Sequence, residues 1–326
     1  MLLLGKRALL GAAAAVLATP ALAQAPFPTR TISMVIPFAA GGPTDTVGRL
    51  IAQSMSAELG QTVVVENVAG AGGSLGAQRV AQARPDGYTI LLHHIGMSTI
   101  PTLYRRLAYD PINGFETVGL VTEVPMTLVA RRNFPANNLA ELVQVVRRER
   151  ERLNYANAGI GAASHLCGLL FQKALDTPFT TVPYRGTGPA MNDLVAGTVD
   201  LMCDQTTNTT EQIRAGTIRG FAVTTPQRIA ALPDLPTAAE AGLPGFEVSV
   251  WHGLYTPRNT PQPIVARLNR ALVHALRDES IARRFADLGT APIPVERATP
   301  EAHRTFWQAD IAKWRPLIQA AGQFAD

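Results

Sequence analysis

The sequence predicts an α/β fold of two lobes, each a mostly parallel sheet flanked by helices, joined by two hinge strands. Short apolar segments rich in β-branched residues alternate with amphipathic segments of helical period. The pattern begins again in the second half of the chain, and a glycine-rich loop follows a predicted strand in each half. Strands that alternate with helices of about ten to fifteen residues are typical of βαβ units.

The first half begins with a predicted strand over Thr31–Phe38. The helix that follows is predicted to be capped by Thr44 or Asp45 and to end at Gly60, because these residue types favour helix ends. The other elements of this half are a strand over Thr62–Glu66, a helix over Ser74–Ala83 and a strand over Tyr88–His93.

The second half repeats this order before the chain returns to the first lobe. Strands are predicted over Met126–Ala130, Leu153–Ala158, Thr180–Tyr184, Val199–Cys203, Ile218–Val223 and Glu247–Tyr255. Helices are predicted over Leu139–Arg150, His165–Leu175, Pro189–Ala196, Pro263–Arg277, Ile281–Leu288 and Pro300–Ala321. The expected hinges are Val124–Leu128 and Phe246–His252. With the chain crossing between the lobes at these hinges, we expect residues 24–124 and 248–326 to form lobe I and residues 125–247 to form lobe II.

Residues 1–23 are predicted to be a signal peptide. Lys6 and Arg7 precede an apolar run, Leu9–Ala18, that is too short to span a bilayer. Small residues place the cleavage near Ala23 or Ala25. The general secretory and twin-arginine routes both remain open.

The charge of the chain indicates no polyanion partner. The formal net charge of +4 falls by two when the signal segment is removed. The densest charged run, Arg147–Arg152, alternates Arg with Glu and has the pattern of a solvated helix end rather than a nucleic-acid surface. Aromatic residues are only 6% of the chain, which argues against a cleft that stacks on sugars.

Two glycine-rich loops predict an anion site. Pro37–Asp45 and Gly161–His165 each join the carboxyl end of a strand to a helix start. Free amides at helix N-termini attract anions, so two facing helix starts form a concave anion site without a lysine. The loop Gly70–Gly76 has three residues between its second and last glycines rather than two, which disfavours a dinucleotide fingerprint.

The residues do not predict an enzyme, a metal site or a cofactor. Ser164 and His165 point about 100° apart on a helix, and no Gly-x-Ser-x-Gly motif occurs. His93 and His94 have no third ligand in the pattern around them. The pair Asp204-Gln205 follows a strand, where it either orients an amine or hydroxyl of a ligand or caps the next segment. A secreted hydrolase that uses Ser164 or His165 is the alternative function.

Cys167 and Cys203 are the two cysteines of the chain. Two isolated cysteines form neither a disulfide framework nor a zinc motif. We expect two buried free thiols. A single bridge is the alternative, because export permits it.

Short motifs along nearly the whole mature chain resemble one known family. They are Val35–Phe38 with Gly41-Gly42 and Thr44-Asp45, Val64–Asn67 with Gly70–Gly73, Pro85–Thr89, Leu153–Ala156, Ser164–Leu166, Val182–Gly186, Gly197–Met202, Ala222–Thr224, Leu232–Thr237 and Glu240–Gly242. In this order they resemble the Bug-type substrate-binding proteins of tripartite tricarboxylate transporters. The chain departs from the family pattern at Ala39-Ala40, Cys203 and Gln205.

The resemblance implies a type II periplasmic-binding fold that closes on a small carboxylate in the periplasm. It implies no cofactor, and as partner either membrane transporter subunits or a membrane sensor kinase. We expect a monomer. The ligand stays open between a dicarboxylate or tricarboxylate, an aromatic acid, an amino acid and an uncharged amide. The expected ligand-binding residues are Phe38, Gly42, Thr44, Asp45, Gly96, Ser98, Gly161, Ser164, His165 and Asp204. The resemblance also implies that the loop His94–Ser98 faces the same cleft.

Overall fold

The computed structural model describes residues 27–322 and 324–325. The predicted signal peptide and both cleavage positions lie outside the described residues. Within this part of the chain, no helix is long and apolar enough to cross a membrane.

The described residues form strands and helices in alternation. The strands are β1 (Ile32–Ile36), β2 (Val63–Asn67), β3 (Thr89–His94), β4 (Phe115–Arg131), β5 (Asn154–Asn157), β6 (Thr180–Pro183), β7 (Leu201–Gln205), β8 (Ile218–Val223), β9 (Ser249–Pro257) and β10 (Ala291–Pro292). The helices are α1 (Pro43–Leu59), α2 (Ser74–Ala81), α3 (Gly96–Leu103), α4 (Leu139–Glu149), α5 (Ala163–Leu175), α6 (Thr187–Ala196), α7 (Thr206–Arg214), α8 (Gln262–Leu276), α9 (Glu279–Asp287) and α10 (Pro300–Ala321).

The strands follow the order β2-β1-β3-β9-β4-β7-β5-β6, with β8 and β10 paired to β4. Three parallel strands form one end of this order, β2-β1-β3, and three form the other, β6-β5-β7. The long strands between them are antiparallel to their neighbours, because the chain leaves lobe I on β4 and returns to it on β9. The fold is therefore two α/β lobes joined by crossing strands.

The crossing point lies within β4. This strand pairs with β9 as far as Pro125, opposite Ser249, and with β7 from Met126 onward. Thr224 connects the two crossings, since its amide donates to the Met126 carbonyl at 2.9 Å and its carbonyl accepts from the Val248 amide at 3.1 Å. The lobe boundaries at 124/125 and 247/248 stay a prediction, and the change of strand partner falls beside them.

Lobe II contains a disulfide between Cys167 and Cys203, whose Cα atoms are 6.1 Å apart. The expectation of two free thiols was therefore wrong. Helix α5 packs on β7, and both cysteines point into the same buried layer with no exposed surface. The two cysteines meet because a helix packs on a strand 36 residues away in the sequence. A local sequence pattern does not predict such packing.

The predicted cap of α1 was also wrong. Gly42 is the N-cap and Pro43 begins the helix, so Thr44 and Asp45 lie within the first turn. Proline suits this position because its fixed φ matches the helix and its missing N–H is not needed there. The helix ends as predicted at Gly60, which has a φ of 68°.

Helices α3 and α7 were not predicted from the sequence. Helix α3 contains Pro101, and α7 consists largely of Thr and Asn, which have low helix propensity. Their packing in the fold overrides these local preferences. Both helices begin next to the cleft between the lobes.

Candidate ligand-binding site

The carboxyl ends of the parallel strands of the two lobes face each other across a cleft. A cavity there is lined by Phe38, Gly42, Pro43, Thr44, His94, Ala158, Ala163, Ser164, Thr187, Asp204 and Gln205. Its volume is about 10 Å³, which is room for about one water molecule. The lobes are therefore closed, and a ligand enters only when they move apart.

Four helices begin at this cavity. The lining residues include Thr44 of α1, Ser164 of α5, Thr187 of α6 and the N-cap of α7, Gln205. First-turn amides have no intrahelical acceptor, and a helix N-terminus carries partial positive charge. Each such end stabilises an anion by roughly 0.3–1 kcal/mol when exposed and up to about 2 when partly buried. The cavity thus favours an anion without a cationic side chain.

Aromatic and imidazole rings form the lobe I side of the cavity. The Phe38 ring stacks on His94 with centroids 4.5 Å apart. His94 Nδ1 accepts a hydrogen bond from the Gly96 amide at 2.9 Å, which leaves the proton of the neutral ring on Nε2. Burial lowers the pKa of His94 to about 3, so this ring is neutral at physiological pH.

Thr44 and Asp45 have different surroundings although they are neighbours in α1. The Thr44 hydroxyl lines the cavity and lies 3.2 Å from His252 Nε2. The Asp45 carboxylate accepts from the Gly41 amide at 3.0 Å and from Arg49 and Asn67 at 2.9 Å each. Burial alone would raise the pKa of Asp45, but these hydrogen bonds lower it. Asp45 therefore holds the β1–α1 loop in place and is not a cavity-lining residue.

The β5–α5 loop supplies the matching surface of lobe II. Ser164 Oγ accepts from the Ala158 amide at 2.9 Å, so its hydroxyl is paired with backbone rather than with a base. The Gly161 amide donates to His165 Nδ1 at 3.4 Å, and burial lowers the pKa of His165 to about 4. Ser164 lines the cavity, whereas Gly161 and His165 do not. This arrangement contains no nucleophile–base pair.

Gly96 and Ser98 lie at the start of α3, outside the set of cavity-lining residues. A β-carbon on Gly96 would lie 2.6 Å from the His93 ring and 3.1 Å from the His94 ring. Gly96 therefore lets α3 approach the two imidazoles closely. Ser98 is completely buried within the helix.

Asp204 reaches the cavity from the end of β7. Its side chain is 1% exposed, and Oδ2 accepts from Asn208 Nδ2 at 2.6 Å. Burial raises the pKa of Asp204 to about 7, against hydrogen bonds from Asn208, the Gln205 amide and Thr187. The carboxyl group is thus held within the cavity without a cationic partner.

Of the ten predicted site residues, the structure brings five together at the cavity: Phe38, Gly42, Thr44, Ser164 and Asp204. Their role in binding stays a prediction. The sequence pattern did not single out Pro43, Ala158, Ala163 or Thr187. It indicated Gln205 only together with Asp204, and His94 only as part of a loop. Thr187 could have been found, because it follows a predicted strand and Gly186 in the same way that the named loops follow theirs.

Backbone groups and two side-chain hydroxyls form hydrogen bonds between the closed lobes. Thr99 Oγ1 donates to the Gly161 carbonyl at 2.7 Å, and Tyr104 donates its hydroxyl hydrogen to the Ile160 carbonyl at 2.9 Å. The Ala39 amide donates to the Arg185 carbonyl at 3.0 Å. Each of these contacts joins a residue of lobe I to a residue of lobe II, so it forms only when the lobes meet.

The chain matches the family model described as "Tripartite tricarboxylate transporter family receptor" over residues 47–323. It is 51% identical over 310 residues to the "UPF0065 protein in the TAR-I ttuE-ttuC' intergenic region" of Agrobacterium vitis, which covers 95% of this chain and 90% of that protein. The motifs that predicted the resemblance lie within or beside this match.

Solved structures of binding proteins superpose on this chain and support the same family. The periplasmic binding protein BugD superposes with a TM-score of 0.90 at 49% identity, covering 92% of this chain and 100% of that one. MatC from Rhodopseudomonas palustris, solved with bound malate, has a TM-score of 0.87 at 44% identity and covers 90% and 100%. Rpa4515 from R. palustris, solved with adipate, has a TM-score of 0.85 at 34% identity and covers 91% and 98%.

The predicted resemblance is confirmed by these matches, which extend over both lobes and the closed cleft. The chain belongs to the tripartite tricarboxylate transporter receptor family and is a Bug-type solute-binding protein, not an enzyme.

Proposed function

We propose that this protein captures a small carboxylate between its lobes in the periplasm and presents the closed form to a membrane transporter. The observation that carries the proposal is the cavity where α1, α5, α6 and α7 begin. None of the described residues that line it is Lys or Arg, so the first turns of the helices supply the attraction for the anion. Malate in MatC and adipate in Rpa4515 support a carboxylate as the ligand class.

Isothermal titration with L-malate, succinate, adipate and citrate tests the ligand class. We expect at least one of them to bind and succinamide, the uncharged analogue of succinate, to bind more weakly than succinate. Absence of binding to every anion, with circular dichroism confirming folded protein, would overturn the proposal.

Presentation of the closed form is tested separately from capture. Membranes that contain the transporter subunits should retain the ligand-loaded protein more strongly than the ligand-free protein. Retention by membranes that contain only a sensor kinase would favour the alternative partner.

Export is tested by N-terminal sequencing of the periplasmic protein. The sequence should begin at Gln24 or Pro26, the residues after the two predicted cleavage positions.

A further inference from the structure

Asp204 is an unexpected residue in a cleft that attracts anions. Among the described residues that line the cavity, Asp204 and His94 are the ones that titrate, and His94 is neutral. The cavity therefore contains a carboxyl group and no cation to balance it. A bound carboxylate would lie in the same closed space as this group.

The neighbours of Asp204 arrange it as a hydrogen-bond acceptor. Asn208 Nδ2, an uncharged donor, donates to Asp204 Oδ2 at 2.6 Å. A carboxylate has room for about four donors, so acceptor positions remain on Asp204 beside this bond. These positions lie on a group that borders the cavity.

An anion beside an ionised Asp204 is unfavourable, because like charges repel strongly where water is excluded. A hydroxyl or ammonium group of the ligand offsets this penalty by donating a hydrogen bond to Asp204. A ligand without such a donor closes the lobes only if a proton is taken up. The identity of the group next to the ligand carboxylate therefore decides how well the cleft closes.

We propose that Asp204 selects carboxylates that carry a hydroxyl or ammonium group on the adjacent carbon, that is, 2-hydroxy or 2-amino acids. This inference rests on the proposed function, since it assumes that a carboxylate occupies the first turns of the helices. Ser164 and Thr187 lie in the first turns of two of these helices and line the same small cavity as Asp204. Because the cavity is small, a carboxylate at these first turns has Asp204 close to its adjacent carbon.

Titration of L-malate, L-aspartate and succinate into the wild-type protein at pH 7.5 tests the selection. The first two carry the donor and succinate lacks it. We expect L-malate or L-aspartate to bind about tenfold or more tightly than succinate, the usual effect of a hydrogen bond to a charged group. Equal affinity for all three, with binding intact, overturns the selection and leaves the proposed function standing. No binding of any of them or of the other carboxylates rejects the proposed function itself.

As an independent test, Asp204→Asn should change the affinities for the two ligand types in opposite directions. We expect weaker binding of the 2-hydroxy or 2-amino acid and stronger binding of succinate, because the acceptor and the repulsive charge are lost together. The matched control is Asp176→Asn, which removes an exposed carboxylate at the far end of α5 and should change neither affinity. An equal loss for all ligands in Asp204→Asn would overturn the inference.

The proton balance separates the two ways in which Asp204 can act. Titrations at pH 6.5 in two buffers of different ionisation enthalpy measure the protons exchanged on binding. We expect L-malate to release protons as Asp204 ionises to accept its hydroxyl. Proton uptake with L-malate would mean that Asp204 binds as a neutral acid, and would overturn the proposal.

Discussion

Gly72 of lobe I and the Ile160 carbonyl of lobe II lie against each other across the cleft. A β-carbon added to Gly72 would be 1.8 Å from the Ile160 carbonyl oxygen. Gly72 also has a φ of 58°, in the region that favours glycine. The glycine loop that resembles a dinucleotide fingerprint therefore has another role, which is to let the lobes close.

Gly72→Ala should prevent full closure and weaken ligand binding. The added methyl group collides with backbone, which cannot turn away as a side chain could. Because affinity falls with the fraction of the protein that can close, we expect a loss of roughly tenfold or more. Isothermal titration measures the affinity, and small-angle scattering with saturating ligand measures the closure.

Gly60→Ala is the matched control for this variant. Gly60 has a φ of 68°, and a β-carbon added there would have nothing within 4 Å. Both variants should lose about 1–2 kcal/mol of stability from the left-handed backbone. Only Gly72→Ala should lose affinity, and wild-type affinity in that variant would contradict the role of Gly72 in closure.

Tyr104→Phe should release the ligand faster without reducing stability. The Tyr104 hydroxyl donates to the Ile160 carbonyl across the cleft, so the bond exists only in the closed form. A neutral hydrogen bond of about 1 kcal/mol corresponds to a several-fold change in affinity. Stopped-flow dissociation measures the effect. Tyr109→Phe, whose hydroxyl lies 3.4 Å from Ser74 within lobe I, should leave the rate unchanged.

The Cys167–Cys203 bridge should contribute to the stability of lobe II. It closes a loop with a sequence separation of 36 residues, for which chain entropy gives about 3–4 kcal/mol. We expect dithiothreitol to lower the urea midpoint of the wild-type protein. The Cys167→Ala/Cys203→Ala variant should have a lower midpoint that does not respond to the reductant. Equal midpoints for all samples would show that the bridge adds nothing.

The stability of the protein should decrease as the pH falls from 7.5 to 5.5. Burial lowers the pKa of five histidines: His93, His94, His165, His252 and His303. Below about pH 6.5 the unfolded chain binds protons at these sites and the folded chain does not. Each histidine then lowers the free energy of unfolding by up to about 1.4 kcal/mol for each pH unit. Urea unfolding at several pH values measures the slope.

Asp204 acts in the opposite direction, since its raised pKa favours the fold at low pH and that contribution is lost as the pH rises through about 7. Burial also raises the pKa of Asp310, and these two carboxyl groups are outweighed by the five histidines. His303→Phe should reduce the slope by about one proton, because the unfolded variant no longer binds a proton at this position. Both ring nitrogens of the buried His303 lack a hydrogen-bond partner, so the substitution breaks no hydrogen bond. A slope that is the same in His303→Phe and wild type would contradict the assignment.

Part of the candidate site could be predicted because its signal is local. Phe38, Gly42 and Thr44 follow the first strand, and Ser164 follows the matching strand of lobe II. In parallel sheets such positions meet at one edge, so the strand pattern places them near each other. Asp45 has the same sequence signal, but Arg49 and Asn67 draw its carboxylate away from the cavity.

The sequence by itself determined the α/β class, the two lobes and the family, because alternating strands and helices and short glycine motifs are properties of neighbouring residues. Only the tertiary structure decided which groups meet across the cleft. The contact of Gly72 with Ile160, the disulfide and the position of Asp204 beside Thr187 all join segments distant in the chain. They depend on how helices and strands pack and on the closure of the lobes, which no local pattern encodes.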